Sequence, residues 1–224
     1  MVAPNPLGCD GHDIRLTGTI PFSDRLERNL MLLPAFFLLL AYLVASLPTG
    51  LMLGAIIADT DPREAGSHNI GATNVYRLLG RRLGLLTFAG DVLKGAVPVA
   101  LAPTVLDVPW FSGAVAIAAF SGHCWSAFLD FRGGKGVATA AGVLLVLVPM
   151  VLVACLTVWA VLVKLTRKSS LGSLAAAVLM PTLVHLLRPE MLWASAVLTV
   201  GVIWRHRSNI TRLLSGTERQ TRQP

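Results

Sequence analysis

The stretch Val137-Ala138-Thr139-Ala140-Ala141-Gly142-Val143-Leu144-Leu145-Val146-Leu147-Val148-Pro149-Met150-Val151-Leu152-Val153-Ala154-Cys155-Leu156-Thr157-Val158-Trp159-Ala160-Val161-Leu162-Val163 carries no charge. Such a run belongs among lipid or deeply buried helices. Its reading decides the fold, because it is either one long span or two short ones turning near Val148-Pro149. If it turns and returns to the side it left, the loops at 59–82, 129–136 and 164–170 and the C-terminal tail share one face. That face then collects Arg63, Arg77, Arg81, Arg82, Arg132, Lys135, Lys164, Arg167, Lys168 and the arginines after residue 204. The opposite face keeps Arg188 and, in the N-terminal tail, Arg15, Arg25 and Arg28. A single span would divide the basic residues between both faces, against the cytoplasmic excess of Lys and Arg. Each half has only about 13 residues, short for ~30 Å of hydrocarbon, so two short spans and a re-entrant hairpin both fit.

Outward from this block lie further apolar stretches at about Met31–Ala58, Leu83–Leu106, Trp110–Phe128, Leu171–Leu187 and Met191–Trp204. The first is interrupted by Ser46-Leu47-Pro48-Thr49-Gly50, which predicts a kink. The chain divides into a polar tail (1–30), a membrane bundle (31–204) and a basic tail (205–224). The prediction is an all-α polytopic membrane protein of about seven transmembrane segments, one pair short, with the N-terminus outside and the C-terminus cytoplasmic. Composition agrees: of 224 residues, 54% are hydrophobic and only 14% charged, where soluble domains carry about a quarter. Mean hydropathy is +0.67. An ordinary soluble domain is excluded. The net charge of +7 is read as topological, with no nucleic-acid partner, since no basic run is interleaved with aromatics. Cys9, Cys124 and Cys155 are scattered and odd in number, so they predict neither a disulfide framework nor a metal cluster.

Three polar stretches fall on the predicted cytoplasmic face. Ala65-Gly66-Ser67-His68-Asn69-Ile70-Gly71-Ala72-Thr73-Asn74-Val75-Tyr76-Arg77 mixes glycines, hydroxyls, amides and an arginine. Such a mix suits an oxyanion, with backbone N–H groups approaching at glycine and Arg supplying charge. A helix cap at Thr73 or Asn74 would account for only one or two of these residues. Phe131-Arg132-Gly133-Gly134-Lys135-Gly136 enters a helix at about Val137, a second geometry for anions. It is not a Walker A loop, because Gly136 stands where Ser or Thr is required. Arg205-His206-Arg207-Ser208-Asn209-Ile210 follows the last span, and His206 and Asn209 share a face if the helix continues. Within a span, Asp91 and Lys94 are spaced to form an ion pair supporting these loops. His123 stands near the cytoplasmic end of the third span as a further supporting residue.

The order of these stretches closely resembles the bacterial acyl-phosphate:glycerol-3-phosphate acyltransferases, the PlsY family. The matching residues are Gly66-Ser67-x-Asn69-Ile70-Gly71-Ala72-Thr73-Asn74 with Arg77, Asp91-x-x-Lys94-Gly95, and Gly122-His123. They continue through Phe131-x-Gly133-Gly134-Lys135-Gly136-Val137-Ala138-Thr139 and Arg205-His206-Arg207-x-Asn209-Ile210, ending at Gly216. The resemblance implies seven membrane segments, an external N-terminus, and residence in the bacterial cytoplasmic membrane with the active site facing the cytoplasm. It implies that Ser67, Arg77, Lys135, His206 and Asn209 are catalytic, while Gly66, Asn69, Gly71, Thr73, Asn74, Gly133, Gly134 and Gly136 cradle phosphate. His68 departs from the family's glycine, and Cys124-Trp125-Ser126 from its aromatic-proline stretch.

The implied reaction moves an acyl chain from acyl phosphate to the sn-1 hydroxyl of glycerol 3-phosphate, giving lysophosphatidic acid and phosphate. The implied partners are these substrates and the bilayer, with no cofactor, metal or obligatory protein partner. His206 is read as a positioning hydrogen-bond donor, with a substrate phosphate taking the hydroxyl proton. The His-x4-Asp signature of coenzyme-A-dependent acyltransferases is absent, His185-x4-Glu190 being the nearest approach. A transporter of small phosphate esters is the alternative, but it would want two related halves and polar residues at the midplane.

Overall fold

The computed structural model describes residues 22–221 and is helical throughout its regular elements. Cys9, His12, Arg15 and Arg222, and the tail up to residue 21, lie outside the described residues. Helix α1 (Phe22–Ser46) starts upstream of the polar-to-apolar boundary at Met31, so residues 22–30 are part of that helix. Pro48 has no N–H to give and separates α1 from α2 (Thr49–Ala58), as the sequence predicts. Helix α3 (Ala72–Val105) takes up part of the expected 59–82 loop and bends at Gly80, where φ is 83°. Helix α4 (Pro109–Cys124) ends before Phe128, which lengthens the following loop to residues 125–136.

The uncharged block turns where expected. Helix α5 (Val137–Leu147) stops at Val148, held at φ −148° and ψ 74° before Pro149, and α6 (Pro149–Thr166) begins with that proline. The residue before proline is pushed out of the helical region, and proline itself suits the first helical position. Arg167, in the left-handed region, closes α6 and turns the chain into α7 (Ser169–Leu187). A 3-10 turn (Pro189–Met191) leads to α8 (Leu192–Arg205), and α9 (Arg207–Leu214) follows after a single break at His206.

Four described stretches are long and apolar enough to cross a bilayer unaided: Leu32–Ala58, Ala72–Val105, Pro149–Thr166 and Ser169–Leu187. Their outer faces carry large exposed apolar side chains, among them Phe36, Ile56, Met150, Leu165 and Val178. In water such a surface would be a liability; in lipid it is matched to its solvent. The interior is built on Val99, Phe111, Val115, Val143, Val151 and Leu198. Helices α3 and α5 approach through two glycines. A Cβ on Gly95 would strike the Thr139 carbonyl, and one on Gly142 the Val92 carbonyl. Small residues allow this close backbone contact, which fixes α5 and hence its N-terminal loop against α3.

Candidate active site

A cavity of about 630 Å³ opens at the end of the bundle where the 59–71 and 125–136 loops meet the α8–α9 break. Ser67, Arg77, Lys135, His206 and Asn209 all line it. Residues spread over more than half the chain therefore meet at one mouth. Below them the wall becomes apolar, with Phe88, Leu144, Leu152, Leu156 and Met180. The cavity is thus polar and cationic at one end and hydrocarbon-like at the other.

The first loop is shaped by Asn74. Its Oδ1 accepts from the Ser67 N–H at 2.8 Å, and its Nδ2 donates to the carbonyls of Pro62 (2.7 Å), Asn69 (3.0 Å) and Ala65 (3.2 Å). An amide so engaged has no donor left for a phosphate. The expectation that Asn74 cradles substrate is corrected: it is the loop's internal brace. Neither Asn74 nor Thr73 is the cap, since Gly71 opens α3 without a side-chain cap bond. The Gly71 N–H is also taken, by Asn69 Oδ1 at 2.8 Å. Asn69, Gly71, Thr73 and Asn74 itself line the cavity, but Gly66 does not. His68 sits at φ 55° with Nδ1 against the Arg63 carbonyl at 2.9 Å, so its imidazole leaves the pocket.

The second loop is held from behind. The Gly133 and Gly134 N–H groups donate to the carbonyls of Cys124 and His123 at 3.2 and 3.0 Å. Their own carbonyls accept from Arg205, Nη2 to Gly133 at 2.6 Å and Nε to Gly134 at 2.9 Å. Both glycines lie off the cavity wall, which corrects their assignment as phosphate ligands. They are glycines because side chains would collide with His123 and Cys124. Gly136 differs: it lines the cavity at φ 77°, directly before the α5 N-terminus, where a Cβ would enter the Phe120 ring. Behind the loop, Lys94 Nζ donates to Asp91 Oδ1 at 2.8 Å, and His123 Nδ1 stands 3.6 Å from the same oxygen. The ion pair predicted at this spacing is present and buried.

At the third stretch the helix breaks at His206, yet His206 and Asn209 both turn inward and are 2% and 4% exposed. His206 Nδ1 lies 2.8 Å from the Val202 carbonyl. A carbonyl only accepts, so Nδ1 carries the proton and Nε2 of the neutral ring is an acceptor. Burial, reinforced by the Lys135 charge, pushes the His206 pKa down to about 4 despite the Val202 bond and Glu218. The ring is neutral at physiological pH. In the substrate-free ring Nε2 is thus an acceptor, where the sequence reading expects a donor. Burial likewise lowers Lys135 to about 8, with Glu218 opposing and Arg212, Arg77 and Arg205 adding to the shift. Among the described residues Lys135 forms no ion pair.

The sequence reading missed Glu218. Its Oε1 accepts from Ser170 Oγ and Asn209 Nδ2, each at 2.6 Å, and its Oε2 from Arg212 Nε at 2.8 Å. Burial alone would raise its pKa, but these three donors and the Arg212 charge hold the carboxyl below its usual value. The segment after it is tied down as well. Arg77 Nε donates to the Gln220 carbonyl at 2.8 Å, and the Thr221 N–H to the Arg167 carbonyl at 2.7 Å. One signal was legible: Glu218 is the lone acid in the basic stretch 205–224. Among the described residues no group of three or more His, Cys, Asp or Glu side chains converges as a metal site.

Residues 35–216 match the family model described as glycerol-3-phosphate acyltransferase. A glycerol-3-phosphate acyltransferase of Syntrophotalea carbinolica is 48% identical over 184 residues, covering 81% of this chain and 94% of the relative. One of Geobacter sulfurreducens is 49% identical over 181 residues, covering 80% and 92%. Among solved structures, PlsY (YgiH), an integral membrane glycerol 3-phosphate acyltransferase in its glycerol 3-phosphate form, superposes with a TM-score of 0.80 at 35% identity. That match covers 84% of this chain and 94% of the other, and the same protein's lysophosphatidic acid form gives 0.77. The chain belongs to the glycerol-3-phosphate acyltransferase family.

Proposed function

We propose that this protein transfers an acyl group from acyl phosphate to the sn-1 hydroxyl of glycerol 3-phosphate, at the cytoplasmic face of the bacterial inner membrane. The observation that carries the reading is the cavity's division into a cationic, donor-rich mouth and an apolar depth. Two phosphates fit the first and an acyl chain the second. Acyl phosphate is a mixed anhydride, so the chemical demand is positioning and charge stabilisation more than activation.

In the proposed reaction the glycerol hydroxyl oxygen attacks the acyl carbonyl carbon, and the bond from that carbon to the phosphate oxygen breaks. Phosphate leaves, and an oxygen of a substrate phosphate takes the hydroxyl proton. Lys135, Arg77 and Ser67 bind the phosphates and the developing oxyanion, with the α5 N-terminus at Gly136 adding its dipole. His206 Nε2 accepts from the second glycerol hydroxyl and so orients the attacking one, whose own proton stays free for the phosphate oxygen. Asn209, which also lines the cavity, helps hold the same end of the glycerol in place. Seven segments, with the N-terminus outside, put all three motif loops on one side with the basic residues.

The deciding assay uses purified protein and radiolabelled glycerol 3-phosphate with acyl phosphate or acyl-coenzyme A as donor. Labelled lysophosphatidic acid is expected with acyl phosphate only; formation from the thioester alone overturns the donor assignment. Reporter fusions after Lys168 and after Gly216 are expected to read cytoplasm in both cases. A periplasmic signal at Lys168 overturns the topology.

A further inference from the structure

Beneath the large cavity lies a second void of about 10 Å³ between α4, α5, α7 and α8. Its lining is apolar except for Ser195, whose hydroxyl is already spent on the Leu192 carbonyl at 2.8 Å. A space so small and unpolar stays dry. Only Leu144 and Met180 line both spaces. They are 6% and 3% exposed, so they form a partition inside the protein.

We infer that Leu144 and Met180 are the floor of the acyl cavity and set the longest chain the enzyme uses well. The inference rests on the acyl-transfer reading above. At 1.5 Å per residue, Leu144 lies ~12 Å along α5 from Gly136, and Met180 ~15 Å along α7 from Ser170. Two helices thus bring the floor to a similar depth below the polar mouth. That depth is about half of a ~30 Å hydrocarbon layer, the reach of the chains that build one leaflet. Beyond the floor the void is already apolar, so removing side-chain volume there extends the cavity instead of exposing polar groups. One turn above Met180, Ala177 also lines the cavity, and its methyl leaves room that a larger side chain would fill.

The test compares kcat/KM for acyl phosphates from lauroyl to arachidoyl in wild type, Met180→Ala, Leu144→Ala and Ala177→Leu. The two deletions are expected to move the optimum to longer chains by at least one two-carbon step, raising arachidoyl use relative to palmitoyl about tenfold. Ala177→Leu is expected to move it to shorter chains. Because large-to-small core changes destabilise a fold, Ala177→Leu, which creates no void, carries the test if both deletions fail to fold. Profiles that coincide with wild type overturn the floor. They would mean that chain ends leave sideways into lipid past Leu85, Phe88 and Leu156, which line the cavity and are exposed on the lipid side. A wild type that is inactive with every acyl phosphate overturns the donor reading, and the floor falls with it.

Discussion

The Asn209 side-chain amide donates to Glu218 Oε1 at 2.6 Å, while its own carbonyl oxygen is buried without a partner among the described residues. The carboxylate therefore fixes which way the amide points. The donor is thereby kept for the protein. Ser170 and Arg212 share the same carboxylate, so one acid ties α7, α9 and the C-terminal segment together.

Replacing that acid is expected to cost more than its surface charge. Glu218→Ala leaves three donors without their common acceptor, a loss of about 1–3 kcal/mol, read as a lower thermal midpoint in detergent. The effect is pH-dependent. The folded carboxyl titrates below its ordinary value of 4.5, so its stabilisation is complete above that value and is lost as pH falls through the lowered one. The stability gap between wild type and Glu218→Gln should therefore hold steady through neutral pH and close in acid. A gap that widens on acidification would contradict the pairing.

Lys135 supplies a prediction at the opposite end of the pH scale. Its pKa lies at about 8, well below the ordinary 10.5, so the ammonium is lost as pH rises through about 8. If that charge binds a phosphate, kcat/KM should fall on an alkaline limb near pH 8. The limb in kcat should lie higher, because bound phosphate favours the charged form. Lys135→Ala should abolish most turnover, and Lys135→Arg should restore little of it, since a guanidinium is not a compact ammonium. A limb unchanged in the residual activity of Lys135→Arg would assign it elsewhere.

The turn at Val148-Pro149 and the break at Pro48 were legible because proline acts through covalent geometry. The common face of the motif loops was legible through the distribution of Lys and Arg. The glycines were harder. The resemblance implies that Gly133 and Gly134 are phosphate ligands, but their N–H groups go to the carbonyls of Cys124 and His123, a pairing across the loop that spacing does not encode. Asn74 was misassigned for a related reason: an amide beside glycines suits a phosphate and a loop backbone equally, and only the fold shows which one it meets. Glu218 was overlooked because its partners, Ser170 and Asn209, come together only when α7 packs beside α8 and α9.

His68 occupies a position built for glycine. At φ 55° an L-residue carries a penalty of about 1–2 kcal/mol that glycine escapes, less glycine's extra chain entropy. His68→Gly is expected to stabilise the protein by about 0.5–1 kcal/mol, the loss of the Arg63 contact being at an exposed site. Kinetic constants should stay near wild type, because the ring points away from the cavity. A lower thermal midpoint would show that the imidazole braces the loop more than its backbone strains it.

His206 separates two mechanisms by pH. A general base needs its own ionisation to govern rate, yet burial and the Lys135 charge hold this ring neutral down to about pH 4. An activity limb at about pH 6–7, if one is measured, then belongs to a substrate phosphate, whose second ionisation falls there. His206→Gln should keep that limb in place, because the titrating group has not been removed. It should lose less than the ~10²–10⁴ typical of a missing general base, since a glutamine oxygen can still accept from the second glycerol hydroxyl. His206→Ala should lose more than Gln, because nothing then orients the nucleophile. A loss near 10⁴ in His206→Gln with unchanged substrate binding, together with disappearance of the limb, would make His206 the base. It would also require substrate binding to raise the ring's pKa by two units or more.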